Sequence, residues 1–585
     1  MFRTFNLILD NLSKPLKKRF YLLIFLGLLT AILETVGVAS ISPIIKIILS
    51  PEEFLKLEFI QFIQSKYKLI LQPITFAYFF IFASIIFFIL KAIFIIFTES
   101  LKLKFINKIN VLYSSKIYNN YIYTDIKKFN EFKFSEKIKN IGQTSYITGF
   151  LKSFFVLFIE SILFSSLLIF LLFFNVKFTI LLFSIFSIFL ILVLFLTQMK
   201  ILNLSKIKIE NTTKTFENLL NVLNSLKEII ILKRRFIFQK KFSQAVTTNV
   251  DANYKQDILK FLPKVLMEVL VLIIILSMVI FFMFNDNSII KNLDIFALYV
   301  VAIFKMAPAF NKILYQLQDL KSSIIPAKEI LSEIKSLEKT DLDFIRDDQN
   351  SVIKLDFKNK ISFQNVSFSY PGLKKKVINN FNLEIKKNSI TGICGPSGGG
   401  KTTLINLLLG FNIPDSGNII VDDYDISKNI KSFQNLLGYV PQDIYLLNDT
   451  IKNNILFGLN QNKVDTDKFN QLIENCNLKE LINQSEKGLD TLIGEKASKI
   501  SGGQAQRICI ARALMNDTNI LILDEATSKL DKENEKEILD KLVKNFSNKL
   551  TIIIISHRDK MLKNFCDNIY SIDKGELKLI HSNEK

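Results

Sequence analysis

Gly395–Thr402 reads GPSGGGKT, and this stretch decides the fold of the C-terminal part of the chain. It fits the pattern G-x-x-x-x-G-K-[ST]. It follows the apolar run SITGIC and precedes TLINLLLG, so the spacing predicts strand, loop and helix in that order. That context is what a phosphate-binding loop requires. Gly395, Gly398, Gly399 and Gly400, with Ser397 and Thr403, let backbone N–H groups surround phosphates, and the following helix N-terminus favours negative charge. Lys401 is expected to reach the β- and γ-phosphates, and the Thr402 hydroxyl to hold Mg²⁺.

Downstream, a second strand-like run, Ile520–Leu523, ends in Asp524–Glu525. The first carboxylate is suited to Mg²⁺ and the second to orienting and polarising an attacking water. Alone, ILILDE is a weak signal. Placed after a phosphate loop it predicts an α/β nucleotidase domain, assigned to residues 351–585.

The rest of the chain has a different chemistry. The 585 residues exceed what one domain holds. Apolar residues make up 49% of them and the mean hydropathy is +0.30, which places part of the chain in lipid. Six runs are long and apolar enough to cross a bilayer, near Tyr21–Leu49, Ile74–Phe97, Phe154–Val176, Phe178–Leu196, Leu262–Phe284 and Leu293–Ile313. They define an all-α membrane domain over 1–320, followed by a polar linker over 321–350. The N-terminus and the long stretches near 98–153 and 197–261 are rich in Lys and Arg, which puts all three on the cytoplasmic side. Six spans then return the chain to the cytoplasm, where a nucleotidase works. The basic N-terminal segment lacks a small-residue cleavage site, so the first span is expected to stay in the membrane.

The net charge of +20 admits nucleic-acid binding or positive-inside topology combined with a lysine-rich composition. The charges flank apolar spans and form no basic domain, so no nucleic-acid partner is expected. Cys394, Cys476, Cys509 and Cys566 lack metal-ligand spacing and read as reduced cysteines. Asn224–Lys233 suits a short helix at the turn of the second long loop, either pressing on the nucleotidase or forming a solvated hairpin. Ser50–Pro73 suits an amphipathic helix at the outer surface or a plain connector. Pro43 and Pro308 are expected to kink their helices.

Ionisable groups within spans need partners or a watery cavity. Lys91, Lys264 and Lys305 lie on three different helices. Facing one cavity, they would form an anion-binding wall for a phosphate or pyrophosphate headgroup. Alternatively they snorkel, or pair with Glu268 or Glu160.

ISGGQAQR at Ile500–Arg507 resembles the signature of the ATP-binding-cassette family, and the six spans with long loops resemble its exporter type. The resemblance covers nearly the whole chain and implies roles for further residues. Tyr370 in VSFSYPG matches the aromatic that stacks on adenine. Gln442 in YVPQD matches a glutamine that touches Mg²⁺, as do Thr402 and Asp524. Ser501, Gly502, Gly503 and Gln504 match a loop that binds the γ-phosphate held by another copy, which implies a homodimer with two sandwiched ATP molecules. Glu525 and His557 match the catalytic glutamate and the switch histidine, and Ser528–Asp531 the loop between them. His581 has no such role. Ile500 stands where the family has Leu and Lys529 where it has Ala; neither change removes a reacting group.

The implied activity is ATP hydrolysis driving export across a bacterial inner membrane. The segments Ala31–Ile45 and Ile303–Ile313 resemble flippases for lipid-linked oligosaccharides. That subfamily carries arginine where this chain has lysine, which puts a bidentate grip in doubt. Exporters of lipid A or drugs share the architecture. A protein that uses ATP to gate without transport is the other class of reading, disfavoured by the intact Glu525 and His557.

Overall fold

The computed structural model describes residues 2–40, 73–124, 126–131, 133–284, 293–347, 355–370, 372, 375–428, 430–494, 499–525, 532–557 and 559–582. Pro43, residues 50–72 and Ser528–Asp531 lie outside them. The chain divides into two compact units, Met1–Phe344 and Ile345–Lys585.

Among the described residues the regular structure of the first unit is all helix. Its elements are α1 (Phe2–Asp10), α2 (Lys14–Ala39), α3 (Pro73–Tyr123), α4 (Ile126–Glu131), α5 (Phe134–Gly142), α6 (Ser145–Leu172), α7 (Val176–Asn224), α8 (Leu226–Ile231), α9 (Arg235–Phe284) and α10 (Leu293–Asp347). Among the described residues six helices are long and apolar enough to cross a membrane, the number read from the sequence. α7 has 49 residues, about 74 Å at 1.5 Å per residue, far more than the ~30 Å a hydrocarbon core needs. The spans therefore continue well beyond the bilayer. The expected short helix at the second loop's turn is α8. The stretch expected as a linker, 321–350, is helix as far as Asp347 and buries Ala327, Ile330, Leu331 and Ile334.

Lipid tails are as apolar as leucine, so packing and buried polar contacts must hold such helices together. Phe164, Phe186 and Phe310 form an aromatic cluster with centroids 4.8–5.3 Å apart. The fully buried Tyr299 hydroxyl lies 2.7 Å from Thr179 Oγ1 and 3.0 Å from the carbonyls of Leu171 and Asn175, closing the α6–α7 turn. Asp319 on α10 accepts from Lys260 of α9 at 2.7 Å and from Ser153 of α6 at 2.8 Å. Buried Glu333 accepts from Tyr121 of α3 and Asn140 of α5. α10 is thus tied by hydrogen bonds to α3, α5, α6 and α9.

The second unit carries two sheets. One is antiparallel, in the order β2 (Ile378–Lys386), β1 (Lys360–Phe368), β4 (Ser416–Val421), β5 (Tyr424–Asp425). The other has six strands in the order β10 (Glu576–Ser582), β9 (Asn568–Asp573), β3 (Ile390–Cys394), β8 (Thr551–Ile555), β7 (Ile520–Asp524), β6 (Leu437–Val440). β9, β3, β8, β7 and β6 run parallel, and β10 turns back on β9. β3 and β8 are buried along their length, which is why ITGIC and TIIII read as unbroken apolar runs. Its helices include α11 (Lys401–Leu408), α12 (Ile451–Leu456), α13 (Thr466–Asn475), α14 (Gly502–Met515) and α15 (Lys532–Phe546). All four cysteines are free and buried in one core cluster, where burial raises each thiol's pKa, to about 12 for Cys476 and Cys566.

Asp422, at the β4–β5 turn, accepts backbone N–H bonds from Lys358, Asn359 and Lys360 at 2.6, 2.7 and 2.9 Å. Burial works to raise its pKa, but these three donors outweigh it and hold the carboxyl below its ordinary value. A depressed folded-state pKa adds stability that is complete above the unfolded value, about 3.9, and is lost as pH falls through the folded one. Asp422→Asn is therefore expected to lower the unfolding midpoint of the second unit at pH 7. The gap from wild type closes as the pH drops below about 4, which thermal melts across pH would show.

Candidate functional site

The loop between β3 and α11 is shaped by close backbone approach. Gly395 packs so tightly that a Cβ there would lie 2.1 Å from the Ile572 carbonyl oxygen of β9. Gly400 has φ +111° and opens α11 from its N-cap position. Lys401 is buried. Its ammonium donates to the carbonyls of Gly395 and Pro396 at 2.8 and 3.0 Å and lies 3.4 Å from His557 Nδ1. Burial lowers its pKa. Ser397, Gly398 and Thr402 are exposed on the loop, while Gly399 and Thr403 are buried. The Thr403 hydroxyl lies 3.2 Å from the Tyr370 hydroxyl, and Tyr370 packs edge-on against Phe368 with centroids 5.1 Å apart. The adenine-stacking candidate thus stands beside the loop.

Glu525 closes this group. It follows β7 with φ +46°, a left-handed conformation that costs a non-glycine residue ~1–2 kcal/mol. Its N–H is anchored on Ile555 of β8 at 3.0 Å. Its carboxylate accepts from Gln442 Nε2 at 2.6 Å and meets His557 Nε2 at 2.7 Å. With Lys401 donating towards Nδ1, the imidazole carries its proton on Nε2, the atom facing Glu525. Gln442 and His557 therefore converge on one carboxylate, and Lys401 reaches it only through His557.

Asp524 accepts a hydrogen bond from the Tyr439 hydroxyl of β6 at 3.1 Å. Burial raises the Asp524 pKa, and it also raises that of Tyr439, with the Asp524 charge adding to the effect. The sequence reading passed over Tyr439. Its signal was present: a polar aromatic in a strand that pairs, in parallel register, with the strand ending in Asp524. Ser501 caps α14, accepting from Gln504 N at 3.2 Å while Ser501 N donates to Gln504 Oε1 at 2.8 Å. Ser501 and Gly502 are exposed at the N-terminus of this 14-residue helix, with Gly503 half-buried behind them. Arg512, about three turns on, donates to Asn454 and Tyr445 and covers Phe457 at 4.2 Å, fixing α14 against α12.

The helical unit holds a cavity of about 530 Å³. Glu34, Glu99 and Glu160 line it, facing Lys102, Lys305 and Lys312. Glu34 Oε2 lies 3.0 Å from Lys305 and 3.2 Å from Lys91. Glu160 pairs with Lys312 at 2.6 Å and Glu99 with Lys102 at 2.5 Å. Two of the three predicted substrate lysines thus meet, but on a carboxylate. The third does not join them. Lys264 is exposed, its ammonium 5.8 Å from the Phe261 ring of its own helix, and it is absent from the cavity lining. The buried stripe of α9 runs through Met267, Leu270, Ile274 and Met278, and Lys264 falls off it. Glu268 is exposed as well. Lys91 and Lys305 thus pair with Glu34 and not with the expected Glu268 or Glu160, and Glu160 pairs with Lys312 instead. Lys312, seven residues and two turns beyond Lys305, was the missed lysine whose spacing signalled a shared face.

These features define a phosphate loop, an acidic strand end and a capped signature helix on one α/β unit. Residues 378–528 match the family model described as ABC transporter, and they are an ABC transporter domain. The whole chain has the fold of an ABC exporter, a helical membrane domain fused to an ATPase domain. It superposes on a bacterial Atm1-family ABC exporter with ATP bound, with a TM-score of 0.74, 20% identity and coverage of 96% of this chain and 95% of that one. A putative export ATP-binding/permease protein of Rickettsia typhi is 43% identical over 221 residues, 37% of each chain. An ATP-dependent lipid A-core flippase of Desulfotalea psychrophila is 40% identical over 222 residues, 38% of each chain. The matched region spans little more than a third of these relatives' length.

Gly395→Ala is expected to abolish nucleotide binding to this domain, because the added methyl collides with backbone and not with a side chain that can move. Titration of the purified protein with a fluorescent ATP analogue would show it as loss of saturable binding.

Proposed function

We propose that the protein is an ATP-hydrolysing exporter that moves an amphiphile across a bacterial inner membrane as a homodimer. The observation that carries this reading is the Glu525 carboxylate, held by Gln442 and His557 beside the phosphate loop, in a chain with six membrane-length helices. The phosphate loop and Lys401 bind the ATP phosphates, and Tyr370 faces adenine. Mg²⁺, when bound, would neutralise charge on the β- and γ-phosphates. The donors fit that hard cation, being the oxygens of Thr402, Asp524 and Gln442, whose amide NH₂ already turns to Glu525 and leaves its oxygen for a metal.

Glu525 orients the attacking water, and His557 and Gln442 fix where it does so. Ser501, Gly502, Gly503 and Gln504 bind the γ-phosphate held by the second copy, since a helix N-terminus with exposed N–H groups favours an anion. Two composite sites make a symmetric dimer the simplest assembly. ATP favours the closed pair and hydrolysis releases it, because a ligand shifts a conformational equilibrium only by its differential affinity. The turn helix α8 and its flanks expose Ile231, Leu232 and Phe236. The basic loops and the ATPase unit lie in the cytoplasm.

The cargo carries an anionic headgroup. A lipid-linked oligosaccharide with a pyrophosphate bridge fits the lysines of the membrane cavity, with Lys305 on its wall and Lys91 one carboxylate behind. A lipid A-core cargo is the second reading, supported by the similarity to the lipid A-core flippase of Desulfotalea psychrophila.

Glu525→Gln is expected to bind ATP normally and lose at least about a hundredfold in ATPase rate, the range for removing a positioned catalytic base. The variant should accumulate as an ATP-bound dimer in size-exclusion chromatography. Equal phosphate release by both proteins would end this reading.

A further inference from the structure

Glu34 is placed oddly for a cavity that receives an anion. It sits on α2, with Lys305 of α10 on one side and Lys91 of α3 on the other, both touching the same oxygen. Lys305 lines the cavity and its side chain is 45% exposed. Lys91 does not line it; its side chain is 10% exposed and lies behind Glu34. Gly37, one turn further along α2, makes that position possible, since a Cβ there would lie 3.0 Å from the Lys91 ammonium. A hydrogen bond of 2.7 Å between Thr35 and Ser166 fixes α2 against α6 next to this group. One carboxylate is thus shared between a front lysine facing the cavity and a rear lysine sealed behind it.

We infer that Glu34 is a built-in counter-ion which the anionic headgroup of the cargo displaces from Lys305, and which retreats onto Lys91 while the cargo is bound. This rests on the exporter reading above and adds the device that sets affinity. Leaving Lys305 bare in a low-dielectric cavity would be costly, and Glu34 satisfies it when no cargo is present. An arriving phosphate takes over Lys305, and Lys91 keeps the carboxylate from becoming an unpaired charge. The two anions stay close, so the headgroup is held less tightly than lysine alone would hold it. When the helices shift, re-forming the Glu34–Lys305 pair expels the cargo. The device prevents product trapping at the expense of affinity. It also discriminates by charge, since a neutral amphiphile has nothing to offer Lys305 in exchange for the carboxylate.

The test uses full-length protein in nanodiscs and three probes: geranylgeranyl pyrophosphate, geranylgeraniol and inorganic pyrophosphate. Binding is measured for wild type, Glu34→Gln and Glu34→Asp. The expected result is about tenfold tighter binding of geranylgeranyl pyrophosphate by E34Q, by removal of one adjacent like charge, with geranylgeraniol unchanged and E34D close to wild type. A matching gain for inorganic pyrophosphate supports the counter-ion and names a free anion as the ligand. No gain for inorganic pyrophosphate supports it with the lipid as the source. Equal or weaker binding by E34Q, while wild type binds the probe and E34D behaves as wild type, overturns the inference and leaves the exporter reading intact. Failure of the wild type to bind either anionic probe overturns both this inference and the anionic-cargo reading.

Discussion

Glu525 is gripped from two sides, by the Gln442 amide and the His557 imidazole, while its own backbone sits in a left-handed conformation. That conformation is unfavourable in isolation and survives because three parts of the fold enforce it. β8 takes its N–H, the segment after β6 supplies Gln442, and the segment after β8 supplies His557. The parallel order β3, β8, β7, β6 is what brings these carboxyl ends together at one edge, the usual site position in open α/β sheets. Lys401 joins the group through His557, so the phosphate loop and the acidic strand end are linked before any ligand arrives. Preorganisation of this kind is where electrostatic catalysis gets its advantage, because the dipoles need not reorient during the reaction.

Much of the ATPase unit was legible in the sequence because its chemistry depends on local spacing. Glycines that admit a phosphate must be glycines, and the Gly395 contact with Ile572 shows the steric reason. The apolar runs before Gly395 and Asp524 read as strands because parallel strands are buried on both faces. Six spans were countable for the same kind of reason, since bilayer thickness sets a minimum length. Tyr439 was not found, because its role depends on which strand lies beside β7, and nothing in a strand's own residues states its neighbour.

The membrane cavity was read less well, and the reason is physical. A helix that is apolar nearly all round gives little periodic contrast, so the side that faces a cavity cannot be told from the side that faces lipid. Lys264 was grouped with Lys91 and Lys305 on depth alone, yet its rotation about α9 takes it elsewhere. The double pairing of Glu34 requires knowing that α2 lies between α3 and α10 at that level. Charge balance inside the cavity is a property of several helices together.

The four cysteines carry a practical consequence. Each is a free thiol sealed in one apolar core, and burial keeps it protonated. A protonated, enclosed sulfur reacts poorly with maleimides and spin labels, which attack the thiolate. The natural chain is therefore a nearly silent background for site-directed labelling. A pair of reporter cysteines added at exposed positions can be tagged without first stripping the native ones, and distances between the tags can be followed through a catalytic cycle.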